Sequence, residues 1–429
     1  MKTAALPLLL FLGLSPACSG GGDDDDSGDD SDDGGQPACV SGPGVICTIA
    51  GNRTASYGGD GGPALSASFS LPQDTLKAPD GTLYILDWNN HRVRKLTPAG
   101  TVEHVAGRGE LGGGLDDPAN GDFNHLTNAI LNPAGDRLVI AAWHNSMIRE
   151  VDLATGEILT TCGDGRRAYF GDDGPASAST LDLPAAVAFD PSGNLVIMDQ
   201  ANQVIRTIDA DGVISRLAGQ CIIDTTPGPG PCEEPVECPG GSGKLTCGDP
   251  AATCGAACNT GYAGGTADTM RMAQPKGQEA DPAGRLAFTG DGDLLFVDTD
   301  NSLIRKIDSE TREVSIVAGL APVDGAPQSG YSGDGGPATE AMLNRPVDLA
   351  VSEDGTIYVT DVANHCVRAI DPSGVLRTAA GQCGERGYAG DGGQATSALL
   401  KLPYGLEYAD GVLYIADSGN QVIRSVRIE

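Results

Sequence analysis

Apolar residues fall in short runs of four to seven, rich in Val, Ile and Leu and divided by Pro-Ser-Gly or Asp-Gly turns. The unit is plainest over 183–219, which reads LPAAVAFD, the turn PSGN, LVIMD, VIRTID, the turn ADG, and VISRLAG. Such runs are strand and hairpin signals, and they predict four short strands per unit. A fixed signature crosses the second and third strands: LYILDWNNHRVR (83–94), LVIMDQANQVIR (195–206), LLFVDTDNSLIR (294–305), IYVTDVANHCVR (357–368) and LYIADSGNQVIR (413–424). A sixth copy, LVIAAWHNSMIR (138–149), has Ala142 where the others have Asp. The signature asparagines, Asn90, Asn145, Asn202, Asn301, Asn364 and Asn420, lie 55, 57, 99, 63 and 56 residues apart. The long interval holds one insertion, a Cys-rich segment at 221–261.

Four strands in about 55 residues fit a propeller blade, so six units predict an all-β, six-bladed β-propeller over 38–429. The two ends of the chain complete it. The sixth unit stops at VIRSVRIE (422–429), after its third strand, whereas VICTIAG (45–51) has the form of the fourth strands EHVAG, SRLAG, SIVAG and RTAAG. The N-terminal strand is expected to close the last blade and remove two free sheet edges.

These units resemble NHL repeats. The linkers YGGDGGPA (57–64), YFGDDGPA (169–176), YSGDGGPAT (331–339) and YAGDGGQAT (388–396) resemble the glycine-rich connectors of teneurin-like and other bacterial NHL propellers. The resemblance covers nearly all of 45–429 apart from the insertion. It departs at the eroded connectors 112–120 and 262–268 and at Ala142. Connector glycines supply positive φ, and Asp60, Asp334 and Asp391 are read as turn residues bonding their own backbone rather than as calcium ligands.

Composition agrees with a turn-rich fold, since 62 Gly and 27 Pro make about a fifth of 429 residues. The formal net charge is −31, with eight Asp in the tract 23–33; setting aside residues 1–37 leaves 50 acidic and 26 basic residues. A surface of that sign repels phosphates, which argues against nucleic acid and against direct contact with an acidic membrane.

The chain opens on Lys2, an apolar stretch Ala4 to Leu14, and Ser15-Pro16-Ala17-Cys18, the order of a secretory signal over 1–17. Cys18 followed by Ser19 resembles a bacterial lipoprotein signal, which would lipidate Cys18 and suit the outer membrane; Ser15-x-Ala17 also suits release as a soluble secreted protein. Residues 18–37 are expected to be a disordered Gly/Asp-rich spacer. The expected protein is a monomer that meets the membrane through its lipid alone.

Twelve Cys in an exported chain point to disulfides. Cys221, Cys232, Cys238, Cys247, Cys254 and Cys258 are expected to staple the insertion internally, Cys39–Cys47 and Cys366–Cys383 are possible pairs, and Cys162 is the candidate free thiol.

Repetition guides the choice of functional residues. The Asp/Asn/Arg sets Asp87, Asn90, Arg94; Asn145, Arg149; Asp199, Asn202, Arg206; Asp298, Asn301, Arg305; Asp361, Asn364, Arg368; and Asp417, Asn420, Arg424 recur in the blades, which suits a blade-to-blade latch better than a catalytic site. The residues expected where each first strand enters the channel are not repeated: Asp74, Asn128, Ala186, Arg285, Asp348 and Gly405. Asp74, Asn128 and Asp348 are hard oxygen donors for a possible Ca or Zn ion, unless Arg285 neutralises them. A zinc lyase of the amidating type, which shares the fold, needs several His on the channel; His91, His144 and His365 fall in peripheral loops of different blades. The sequence therefore points to a non-catalytic module that needs no cofactor and binds a protein or glycan. The alternative is a metal-dependent, lactonase-like hydrolase or a lyase acting at the channel mouth.

Overall fold

The computed structural model describes residues 39–109, 123–220, 236–237, 244–245, 261–276 and 280–428. The signal segment 1–17, Cys18, the 18–37 spacer and the six cysteines of the insertion lie outside the described residues. Six antiparallel sheets form the propeller. Blade 1 runs through Pro72–Lys77, Leu83–Asp87, Arg92–Leu96 and Thr101–Ala106, and the other blades repeat that order. Blade 3, for instance, is Pro184–Phe189, Leu195–Asp199, Val204–Ile208 and Val213–Ala218. In blade 4 the innermost strand is shortened to Leu286–Phe288.

Blade 6 is made from both ends of the chain. Pro403–Ala409, Val412–Asp417 and Val422–Arg427 are joined on their open edge by Ile46–Ala50, with Ile46 opposite Val426. The disulfide Cys39–Cys47 ties the chain entering this strand to the strand itself, and Cys366–Cys383 ties blade 5's third strand to the turn after its fourth. Cys162 is free and buried.

Alternating strand residues point to opposite faces of each sheet, so a blade must bury both faces against its neighbours. The core accordingly divides into six clusters, one per seam. Ala50, Phe69, Ile85 and Ile423 fill the seam between blades 6 and 1, and Leu86, Phe123, Leu126 and Ile140 that between blades 1 and 2. Each blade's fourth strand ends on a glycine that needs no side chain. A Cβ on Gly107 would lie 2.3 Å from the His91 carbonyl oxygen, and one on Gly381 2.7 Å from that of His365.

Candidate functional site

The innermost strands slip register where they reach the channel, between Pro72 and Asp74, Leu126 and Asn128, Pro184 and Ala186, and Pro403 and Gly405. The residue inside each slip turns toward the mouth, so Gln73, Thr127, Ala185 and Tyr404, with Val347, Ala283 and Arg285, line a small depression there. Neighbouring blades share no hydrogen-bonded ladder, which leaves the channel-facing N–H groups in need of acceptors.

Asp74, Asn128 and Asp348 supply them. Asp74 Oδ2 accepts the N–H of Ala129 at 3.2 Å, Asn128 Oδ1 that of Val187 at 2.7 Å, and Asp348 Oδ2 that of Leu406 at 2.7 Å. In each case the donor belongs to the following blade. Arg285 then closes the cluster, reaching Asp348 through Nε and Nη2 at 2.5 Å each and Asp74 through Nη2 at 2.8 Å. The sequence offers these oxygens to a divalent cation unless Arg285 neutralises them. The geometry shows the second arrangement: the guanidinium lies between the two carboxylates, and a cation would have to displace it.

Burial pushes the Asp74 carboxyl up to about 6 against the pull of Arg285. Glu407, on the blade 6 strand that also carries Leu406, is pushed up to about 8 by burial and by the charges of Asp74 and Asp348. Burial works against the charge of Arg285, yet Asp348 and Asp74 outweigh it and raise its pKa.

The repeated Asp/Asn/Arg set holds each blade to its own incoming connector rather than to the next blade. In blade 1 Arg94 donates to Asp60 of the connector at 2.6 Å, to the Ser68 and Gly58 carbonyls at 2.6 and 2.7 Å, and to Asp87 at 3.2 Å. The connector aspartates thus meet arginine instead of only their own turns: Asp172 pairs with Arg206, Asp334 with Arg368, and Asp391 with Arg424. Asn90, Asn202, Asn301, Asn364 and Asn420 each donate to a connector carbonyl and to the blade's own Asp. Blade 4, whose connector is eroded, keeps the Arg305–Asp298 pair and uses the Ala263 carbonyl where others use Asp. Asp87 also accepts the Ser70 N–H at 2.8 Å. In blade 2 Ala142 cannot play that part, and Asn145 takes it over by accepting the Asn124 N–H at 2.7 Å. The buried Arg149 of that blade lies over the Phe123 ring.

The blade-to-blade contact on this face falls one residue after the signature Asn. His91 Nδ1 accepts the N–H of His125 at 3.3 Å, Gln203 Oε1 that of Gln274 at 2.8 Å, His365 Nδ1 that of Leu402 at 3.3 Å, and Gln421 Oε1 that of Leu71 at 2.5 Å. Each of these side chains stands on a left-handed residue, with φ between 52° and 60°.

Three histidines expected to have no common site, or no role, meet at the seam between blades 1 and 2. His125 Nδ1 lies 2.8 Å from His144 Nδ1, and the His91 ring packs edge-on against His125 at 4.6 Å. Trp88 packs against His125 at 4.1 Å, and Trp143 stacks on His144 at 4.2 Å. Burial, reinforced by the neighbouring histidines, lowers His125 to about 3; burial and Arg167 lower His144 to about 4.

A family model described as the teneurin NHL domain matches residues 299–387, from blade 4 across blade 5. This chain is an NHL-repeat propeller. Teneurin-1 of Gallus gallus is 26% identical to it over 418 residues, covering 90% of this chain and 14% of the relative. Protein SUPPRESSOR OF QUENCHING 1, chloroplastic, of Arabidopsis thaliana is 24% identical over 332 residues, covering 76% of this chain and 27% of its own. The NHL propeller therefore spans a small part of these curated relatives. Among solved structures, an auxiliary nutrient binding protein from Bacteroides ovatus aligns with a TM-score of 0.57 at 16% identity, over 89% of this chain and 76% of its own. A protein of unknown function from Bacteroides thetaiotaomicron aligns at 0.59 and 18%, over 89% and 75%. At these identities the likeness establishes the propeller fold alone.

Two features of the NHL propeller's face escape the repeat pattern. The residue after Asn varies between His, Gln and Ser, so it reads as noise until the seam is seen. His125 belongs to no signature, and only its place three residues before Asn128 ties it to the start of a blade.

Proposed function

We propose that the protein is an exported, lipid-anchored NHL propeller acting as a non-catalytic binding or scaffold module, with a protein or glycan partner on its connector-bearing face. The observation that carries this reading is the use of polar groups. Asp74, Asn128, Asp348 and Arg285 are spent on joining blades to one another, while Tyr57, Phe170 and Tyr331 stand about half exposed on three connectors. Tyr57 and Tyr331 hold equivalent repeat positions, braced by Arg94 at 5.2 Å and Arg368 at 5.0 Å. Rigid aromatics on an otherwise polar rim are the groups that anchor partners. The two disulfides fit an oxidising compartment, and a lipid on Cys18 would hold the module at the envelope as a monomer.

The test presents the full chain and a Tyr57→Ser/Phe170→Ser/Tyr331→Ser variant to a glycan array and to cross-linking in intact envelopes. Loss of a specific partner in the variant, with an unchanged melting curve, is the expected result. Equal capture by both proteins, or ester or lactone turnover abolished by Asp74→Ala/Asp348→Ala, would overturn the reading in favour of the hydrolase alternative. Labelled lipid incorporated in the parent and absent from Cys18→Ser tests the anchor.

A further inference from the structure

Both tryptophans of the chain and three of its five histidines gather at the seam between blades 1 and 2. Their backbones fix them from three separate segments. His91 sits on a left-handed residue of blade 1's second turn and holds the His125 N–H, so it positions the segment that carries His125. His144 comes from the equivalent turn of blade 2, pinned by its own N–H donating to the Asn124 carbonyl at 3.1 Å. The two Nδ1 atoms are thereby aimed at each other. With both rings neutral, one proton serves the pair, and two lone pairs compete for it. His144 Nε2 is buried with no hydrogen-bond partner among the described residues, and so is Nε1 of Trp88, whose ring packs on His125. The pocket therefore carries more imidazole than its own hydrogen bonds employ.

The distance selects a use for it. Imidazole nitrogens sit about 2.0–2.1 Å from a divalent first-row ion. Two such nitrogens 2.8 Å apart subtend roughly 90° at the ion, the cis angle of the tetragonal geometry that Cu2+ and Ni2+ take with nitrogen ligands. A tetrahedral zinc ion would need them about 3.3 Å apart. We infer that His125 and His144 form a two-imidazole site for a tetragonal divalent metal ion, copper above the others, at the seam between blades 1 and 2. Among the described residues no group of three or more His, Cys, Asp or Glu converges to hold a metal, so the proposed site counts two protein ligands there. On binding, the proton held between the two Nδ1 atoms is transferred through solvent to Nε2 of the ring that carried it, so that both rings are neutral Nε2–H tautomers, both Nδ1 lone pairs go to the ion, and no net proton is released. The site is separate from the channel and from the connector aromatics, and it adds a ligand class to the module.

The tryptophans supply the readout, since a paramagnetic ion bound to imidazoles that the indoles pack against quenches their emission. The full chain is titrated with CuCl2, NiCl2 and ZnCl2 while tryptophan fluorescence is followed, and paramagnetic resonance is recorded at less than one equivalent of Cu2+. The expected results are quenching that saturates at one equivalent of Cu2+, weaker binding of Zn2+, and splitting from two nitrogens. His144→Gln should weaken Cu2+ at least about tenfold, as loss of a direct ligand costs no less than loss of an outer partner. His365→Gln, at the equivalent turn of blade 5, should leave it unchanged. Copper held on the acidic tract 23–33 would give oxygen-only spectra and leave the tryptophans bright, which would overturn the proposal. Equal quenching of the parent and His144→Gln would overturn it as well. The spectrum of the parent decides the matter even if a variant does not fold.

Discussion

Asp74 of blade 1 and Arg285 of blade 4 stand on opposite sides of the ring and meet across the channel at 2.8 Å. Arg285 also holds Asp348 of blade 5, so one guanidinium spans three blades. Removing it strands two buried carboxylates beside Glu407. Arg285→Met is expected to cost about 3–5 kcal/mol, the usual penalty for leaving a buried charge unpaired. Urea unfolding checks it, and adding Asp74→Asn and Asp348→Asn should restore most of the loss.

Arg368 makes the corresponding test at the periphery. It lies fully buried between Asp361 at 3.2 Å and the connector's Asp334 at 2.6 Å. Arg368→Ala should destabilise by about 3–5 kcal/mol, and Arg368→Lys should rescue little, because a single ammonium cannot reach Asp361, Asp334 and the Ser332 carbonyl together. The surface pair Arg137–Glu150 provides the contrast, with Arg137→Ala expected to leave the urea midpoint almost unchanged.

Gly100 and Gly107 separate backbone strain from collision. Both have positive φ, 80° and 90°. A Cβ on Gly100 meets nothing within 4 Å, whereas one on Gly107 runs into the His91 carbonyl. Gly100→Ala should cost about 1–3 kcal/mol for the left-handed backbone alone. Gly107→Ala should cost more and lower the melting temperature further in the same calorimetric scan.

Glu407 gives the fold a pH dependence of definite sign. Its folded value of about 8 stands above its ordinary 4.5, so between those limits the native chain keeps a proton that the unfolded chain releases. Stability should therefore fall as pH rises from about 4.5 to about 8 and level off above that. Glu407→Gln, which is neutral throughout, should flatten this part of a urea-midpoint profile.

The blade count, the closure of blade 6 and the pairs Cys39–Cys47 and Cys366–Cys383 were all legible in the sequence, because strand period and repeat spacing are local properties of the chain. The partners of the polar residues were not. Arg285 was named as a possible partner of Asp74 and Asp348, but their acceptor role was missed because it depends on a register slip that turns one blade's side chain onto the next blade's backbone. The Asp/Asn/Arg sets were recognised as structural, but their target was misplaced. Only the path of the connector shows that Arg94 reaches Asp60 and not a neighbouring blade. His91 and His144 are 53 positions apart in sequence and looked peripheral; the seam that unites them through His125 is set by blade-on-blade packing, which no spacing encodes.

The pairing of Ile46 with Val426 also sets an order in time. A strand made among the first fifty residues waits for its partner until nearly the whole chain has been synthesised. Every chain still in production is therefore an open arc, with Ile46–Ala50 and the raw edge of whichever blade was last completed both available to stray strands. Loop-closure entropy grows only slowly with the length of chain between the two ends, so the ring can shut soon after the final strand emerges. The hazard lies in the interval before it. That makes the rate of chain synthesis, and whatever shields the first strand meanwhile, as decisive for yield as the stability of the finished ring.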